Sequence, residues 1–267
     1  MKTTQEEHPD AFAIIEMINV AVAAGDVPDR AAVVDVNWRV APGDYWIVGA
    51  LPGSGKSRLL ATAAGLLRPF AGNCRLFGRE IERLSEEEML VLRLRVGLVF
   101  EDGGRLFNHL TVAQNLALPV SYHRNCPAHE AEARIAAVLE TLELLPLAQQ
   151  TPGRLNRSAR QRAALARAIV LKPELLLLDN PLRGLDPQQT RWWAEFLGGL
   201  SNGHAIMDGR KVTLVVTCED LRPWRDQGRQ FALIKDGRWL PLGGQAELAG
   251  STEPLLKGLS LVDSTEN

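Results

Sequence analysis

Cysteine is among the scarcest residues of this 267-residue chain, and that scarcity excludes something. The three cysteines, Cys74, Cys126 and Cys218, are scattered without CxxC spacing. That pattern excludes a disulfide framework and a zinc site, and it points to a reducing, cytosolic compartment. No apolar run reaches the length needed to cross a bilayer. The first ten residues, MKTTQEEHPD, are polar and acidic where a secretory leader would be basic and then apolar. Net charge is −2, so no basic excess speaks for nucleic acid as a partner. Basic charge is carried mainly by arginine, the lysines being Lys2, Lys56, Lys172, Lys211, Lys235 and Lys257.

What is present is concentrated first around Lys56. YWIVGALPGSGKS, Tyr45 to Ser57, runs an apolar strand into a glycine-rich loop that ends in lysine and serine and opens a helix. Such a loop closes backbone N–H groups around phosphate oxygens, sends its lysine to the terminal phosphates and offers its serine hydroxyl to Mg²⁺. Nucleotide-binding candidates are therefore Ala50, Leu51, Pro52, Gly53, Ser54, Gly55, Lys56, Ser57 and Arg58. Ala50 takes the position where the full pattern has its first glycine, and alanine adopts positive φ less readily.

The surrounding pattern alternates strands and helices. Short strands are expected between Phe12 and Val40, with turns at Gly25-Asp26 and Pro28-Asp29. A helix follows from Lys56 to Leu67, a strand from Asn73 to Phe77, and a helix whose start, Ser85-Glu-Glu-Glu, reads as a capping box. Val96 to Phe100 and Leu175 to Leu178 read as buried strands, and Lys211 to Thr217 as another. Helical periodicity covers His129 to Leu145, Ser158 to Leu171 and Arg191 to Leu200. Phe231 to Ile234 and Trp239 to Leu242 form a hairpin around Asp236-Gly237. Strands separated by helices imply a parallel sheet and an α/β fold. LLLLD, Leu175 to Asp179, ends a buried strand in a carboxylate, which beside the loop strand would complete Mg²⁺ coordination opposite Ser57.

Between the two halves of that site lies RSARQRAALARAIVLKPELLLLDNPLRGLDP, Arg157 to Pro187, which resembles the nucleotide-binding subunits of ABC transporters. RVGLVFED, Arg95 to Asp102, is similar to the strand leading to that family's Q-loop, and VTLVVTCEDL, Val212 to Leu221, to the strand leading to its H-loop. NPLRGLDP resembles the D-loop, with Asp186 in the aspartate position. The resemblance implies a P-loop NTPase fold of ABC ATPase type. It would have a mostly parallel core sheet with flanking helices, an N-terminal antiparallel β part and a helical subdomain insert. One domain is implied over 1–267, with core segments 12–100 and 173–245, a helical subdomain at 101–172 and a C-terminal tail at 246–267. It also implies ATP and Mg²⁺ as ligands, and a second ATPase subunit, identical or different, as partner. A membrane permease is implied too, docked on residues 101–123 at the cytoplasmic face of the inner membrane. GGRLFNHLTVAQNLALPVSYH, Gly103 to His123, is similar to the ATPases of MCE-type phospholipid transport, the Mla-like group, and implies a lipid cargo and an MCE protein in the complex.

The chain departs from the family pattern where the chemistry would sit. Asn180 stands in the position of the water-polarising glutamate, Cys218 in that of the H-loop histidine, and Glu101 in that of the Q-loop glutamine. The signature segment is Leu155, Asn156, Arg157, Ser158 and Ala159 in place of the family's LSGGQ, and the adenine-stacking position falls on Ala24. Two readings follow. One is a slow ATPase, in which Glu101 polarises the water and Arg157 reaches the γ-phosphate from the other subunit. The other is a pseudo-ATPase that binds nucleotide and props or regulates its partners. A P-loop kinase or GTPase explains neither RQRAALARA nor LLLLDNPLRGLD.

Overall fold

The computed structural model describes residues 12–25, 30–103, 105–123, 128–251 and Leu256. Asp26, Pro28, Asp29 and Cys126 lie outside them. The strands are β1 (Ile15–Ala23), β2 (Ala31–Val40), β3 (Tyr45–Ala50), β4 (Ala71–Leu76), β5 (Arg79–Glu80), β6 (Val96–Val99), β7 (Leu175–Asp179), β8 (Thr213–Cys218), β9 (Gln230–Lys235) and β10 (Arg238–Gly243). The helices are α1 (Lys56–Ala63), α2 (Glu86–Arg93), α3 (Val112–His123), α4 (Ala128–Thr141), α5 (Arg157–Ile169), α6 (Pro187–Asn202) and α7 (Gln245–Gly250).

One sheet runs in the order β5-β4-β1-β2-β10-β9-β3-β8-β7-β6. From β9 to β6 every pairing is parallel, whereas β1, β2, β4 and β5 pair antiparallel. Strands β3, β7 and β8 are buried along their whole length, which is why they read as unbroken apolar runs. Their period-2 alternation feeds two cores. Ile47, Leu176 and Leu178 join the side chains of α3 to α6 on one face. Val48, Leu175 and Leu177 join those of α1, α2, β1 and β2 on the other.

The antiparallel and parallel parts meet where β10 pairs with β2 through Arg238 and Val34. Trp38, Trp46 and Trp239 cluster across this seam, with ring centroids 5.0 to 6.4 Å apart. Asp236 and Gly237, both at positive φ, make the tight hairpin turn between β9 and β10 that the Asp-Gly pair predicts.

Several helix boundaries differ from those read in the sequence. α1 stops at Ala63 rather than Leu67, because Gly65 takes φ +67° and turns the chain. α4 ends at Thr141 rather than Leu145, and Glu143 at φ +56° turns the chain there. α6 begins at Pro187 rather than Arg191: Asp186 caps it by accepting from the Gln189 N–H at 2.8 Å, and proline is favoured at the first helical position.

The capping box of α2 is complete. Ser85 Oγ accepts from the Glu88 N–H at 3.2 Å, and Glu88 accepts from the Ser85 N–H at 3.0 Å. Ser85→Ala removes half of it, and thermal unfolding should show a loss of about 1 kcal/mol. No loss at all would mean that packing of Met89 and Leu92 alone sets this helix.

Candidate functional site

Strands β3, β8 and β7 are neighbours, and their C-terminal ends bring Ala50, Cys218 and Asp179 to one edge of the sheet. That edge is where ligands bind in open parallel sheets. Ala50 ends β3 fully buried in ordinary extended backbone, so the first glycine of the loop pattern is not required here for a positive φ. The left-handed residues are Gly53 (φ +74°) and Gly55 (φ +92°). Gly55 is doubly constrained, since a Cβ there would lie 2.9 Å from Ala32 Cβ and 3.0 Å from Val33 Cγ2.

Leu51 and Pro52 form the exposed turn of the loop, and the Ser54 N–H donates to Leu51 O at 3.3 Å. Ser54 Oγ is buried without a partner. Lys56 opens α1 and is buried, while Ser57 is exposed. Arg58 anchors the helix to the end of β1 by donating to Ala23 O and, at 3.4 Å, to Gly25 O. Ala24, the adenine-stacking position, lies between those two carbonyls.

Asp179 is buried and accepts a hydrogen bond from Thr217 Oγ1 at 2.8 Å. The Asn180 N–H donates to Thr217 O at 3.0 Å and to its Oγ1 at 3.2 Å. Asn180 is buried, holds φ +47°, and its Nδ2 donates to Glu101 Oε1 at 3.4 Å. Cys218 is buried, and burial followed by the charge of Asp220 pushes its thiol up. It stays a neutral thiol near pH 7, a weak donor where a histidine would be a strong one.

These residues fit a nucleotide phosphate and a divalent cation. A glycine cradle, an orphaned buried hydroxyl at Ser54 and a buried lysine lie at the N-terminus of α1, and the buried carboxylate of Asp179 lies at the same end of the sheet, two strands away.

Three partners of this site escaped sequence reading. Glu219 Oε1 lies 2.7 Å from Lys56 Nζ. Arg183 ion-pairs with Glu101, and its guanidinium is held above its usual range by that hydrogen bond and by the charges of Glu101, Glu219 and Asp102. Asp102, at φ +61°, ion-pairs with Arg157. The only available signal was proximity in sequence: Glu219 follows Cys218, Asp102 follows Glu101 and Arg183 lies in the D-loop.

The signature segment bonds elsewhere than the phosphate loop. Leu155 is buried, and Asn156 caps α5 by accepting from the Ala159 N–H at 2.8 Å. Arg157 lies against Gly184, where a Cβ would meet its guanidinium at 2.9 Å, and Ser158 is buried. The arginine expected to reach across to another subunit is thus engaged within its own chain, with Asp102 and Gly184.

On the helical side, Phe107, Leu118, Pro119, Tyr122 and Arg167 line an open, mainly apolar groove of about 440 Å³. Trp193 is fully buried, and Trp192 stacks on Phe196 at 5.2 Å, so this pair packs the core and its edge. Among the described residues no helix is long and apolar enough to cross a membrane.

Comparison with known proteins agrees with this fold. MetN, the methionine import ATP-binding protein of Carboxydothermus hydrogenoformans, is 33% identical over 207 residues, 78% of this chain and 59% of its own length. CysA, the sulfate/thiosulfate import ATP-binding protein of Thermosynechococcus vestitus, is 33% identical over 81% of this chain and 61% of its own. The intermembrane phospholipid transport system ATP-binding protein MlaF of Haemophilus influenzae is 33% identical over 65% of this chain and 64% of its own. The chain therefore spans about three fifths of the length of these relatives. A dimeric post-hydrolysis state of the ATP-binding cassette MJ0796 bound to ADP and Pi superposes with a TM-score of 0.76 at 26% identity, over 86% of this chain and 99% of that one. The sequence model of the family described as ABC transporter matches residues 33–183, more than half the chain. With its P-loop α/β fold and a site at the edge of a mostly parallel sheet, the chain belongs to the ABC transporter family.

Proposed function

We propose that this chain is the nucleotide-binding subunit of an ABC transport complex that moves lipid, and that it grips Mg²⁺–ATP far better than it splits it. The observation that carries the nucleotide reading is the loop 50–58 with its buried Lys56 at the N-terminus of α1, beside Asp179 on a nearby strand. In this reading the N–H groups of the loop and Lys56 hold phosphate oxygens, and Ser57 and Asp179 hold the metal. Mg²⁺, when bound, neutralises developing charge on the phosphates. Asp186 caps α6 and sets the course of the D-loop.

A second reading, a pseudo-ATPase with a structural or regulatory role, is favoured by one specific observation. Asn180 occupies the end of β7 next to Asp179 and can orient a water but cannot accept its proton. Loss of a positioned base typically costs about 10²–10⁴ in rate.

The lipid reading rests on the likeness of residues 103–123 to the Mla-like group, and the phospholipid-transport relative supports it. Methionine and sulfate import relatives match at the same identity, and their cargoes are the competing outcomes of the test below. The apolar groove of Phe107, Leu118, Pro119 and Tyr122 supports docking of a permease helix, which would hold the chain at the cytoplasmic face of the inner membrane. A second ATPase subunit, identical or different, and an MCE protein complete the proposed complex.

The test is purification of the assembled complex from membranes, followed by phospholipid transfer between vesicles. Transfer of methionine instead of lipid would sink the cargo reading. Leu118 is 41% exposed, so Leu118→Asp should leave the fold and ATP binding intact. Recovery of the permease with this variant should fall by about tenfold, the effect of a charge in the centre of an apolar interface. Unchanged recovery would place the docking surface elsewhere.

A further inference from the structure

Lys56 is the only lysine in the loop, and its side chain is 7% exposed, yet its ammonium already has an anionic partner. Glu219 Oε1 sits 2.7 Å from Nζ, at the end of β8 immediately after the buried Cys218. A loop lysine of this kind is the group that reaches the β- and γ-phosphates. The carboxylate therefore stands on the cation that a terminal phosphate needs.

The surrounding charges sharpen the conflict. Asp179 contributes a buried carboxylate two strands from the loop, and Glu101 contributes a partly exposed one beside Asn180. Arg183, the cation on that side, is engaged by Glu101. Asp220 turns to Arg222 at 2.7 Å.

We infer that Glu219 is a specificity-determining residue that competes with a γ-phosphate for Lys56, so that the site holds a nucleoside diphosphate at least as tightly as the triphosphate. This rests on the nucleotide reading proposed above. A diphosphate ends at its β-phosphate and shares Lys56 with Glu219. A triphosphate has to displace the carboxylate and then sit among the remaining acidic groups.

A place for the displaced side chain exists. Glu219 is 24% exposed and lines a cleft of about 330 Å³ together with Asn180, Arg183, Cys218 and Asp220. Arg183 already feels the Glu219 charge, so it offers the carboxylate a second partner. Triphosphate binding would thus exchange one ion pair for another and loosen the grip of Arg183 on Glu101.

Equilibrium binding of Mg²⁺–ADP, Mg²⁺–ATP and a non-hydrolysable ATP analogue to the purified chain tests this. Glu219→Gln keeps the shape and removes the charge. The Kd for both triphosphates should fall about tenfold, while that for ADP changes less than about twofold, because one ion pair is relieved in the triphosphate complex alone. Asp220→Asn, which removes a charge already neutralised by Arg222, should leave the ratio unchanged. If Glu219→Gln shifts ADP and ATP equally, or leaves their ratio untouched, the competition is refuted while the nucleotide site stands. An equal shift from Asp220→Asn would reduce the effect to general charge and refute it too. A wild-type chain that binds neither nucleotide would overturn the site itself.

Discussion

Lys56→Ala is expected to lower ATP affinity by about a hundredfold or more, as titration calorimetry of the purified chain would show. Charge compensation in a small buried space is what the substitution removes. Lys56 is the buried cation of the loop, with Asp179 and Glu219 both at the same edge of the sheet. Remove its charge and incoming phosphates meet carboxylates with no lysine between them. Hydrogen bonds from a charged donor to a charged acceptor are about twice as strong as neutral ones, so no neighbouring backbone N–H replaces it. The cost to folding is smaller, because Glu219 is partly exposed and water can take over its carboxylate. A variant that kept wild-type affinity within a few-fold would disconnect Lys56 from the nucleotide.

The second large effect concerns turnover. Restoring a carboxylate by Asn180→Glu alone should do little, because Asn180 Nδ2 points at Glu101 Oε1 across 3.4 Å. Two carboxylates there repel, and one of them takes up a proton rather than serving as a base. The side chain is also buried at φ +47°, a conformation that asparagine tolerates better than glutamate. The paired change Glu101→Gln/Asn180→Glu exchanges amide and carboxylate between touching positions and avoids that clash. Its ATP turnover should exceed that of the parent by about a hundredfold, within the range a positioned base contributes. Phosphate release measured beside Lys56→Ala in both backgrounds decides it. If the paired variant is no faster than the parent, the limit lies in the signature segment and Cys218. If Glu101→Gln alone leaves a measurable parental rate unchanged, Glu101 is not polarising the water.

Much of the sheet could be read in advance because its signals are local. Continuous apolar runs in β3, β7 and β8 follow from burial on both faces, and Asp236-Gly237 marks its own turn. Helix ends were harder to read because they depend on single residues with two uses. Asp186-Pro187 reads as part of a loop motif, yet it is also the cap and first residue of α6. Gly65 sits inside an apolar pattern that continues past it, and only its backbone angle shows that the helix has ended.

At the site the division is similar. The phosphate loop and Asp179 announce themselves by local pattern. Glu219 does not, because its partner Lys56 lies 163 residues away and nothing in VTCED says which acid turns inward. The same holds for Arg157, which pairs with Asp102 and packs on Gly184 from a segment 55 residues away from that aspartate. Charge pairs between residues this far apart in sequence leave no period and no spacing to detect.

The three indoles at the β2–β10 seam carry a consequence of an optical kind. Trp46 lies on β3, four residues before the loop begins, and its ring is edge-on to Trp38 and within 6.4 Å of Trp239. Transition dipoles this close couple, so the trio should contribute an exciton signal to circular dichroism that depends on how the three rings are set. The strand that delivers the phosphate loop thereby carries a built-in spectroscopic label, sensitive to any slip between the two halves of the sheet.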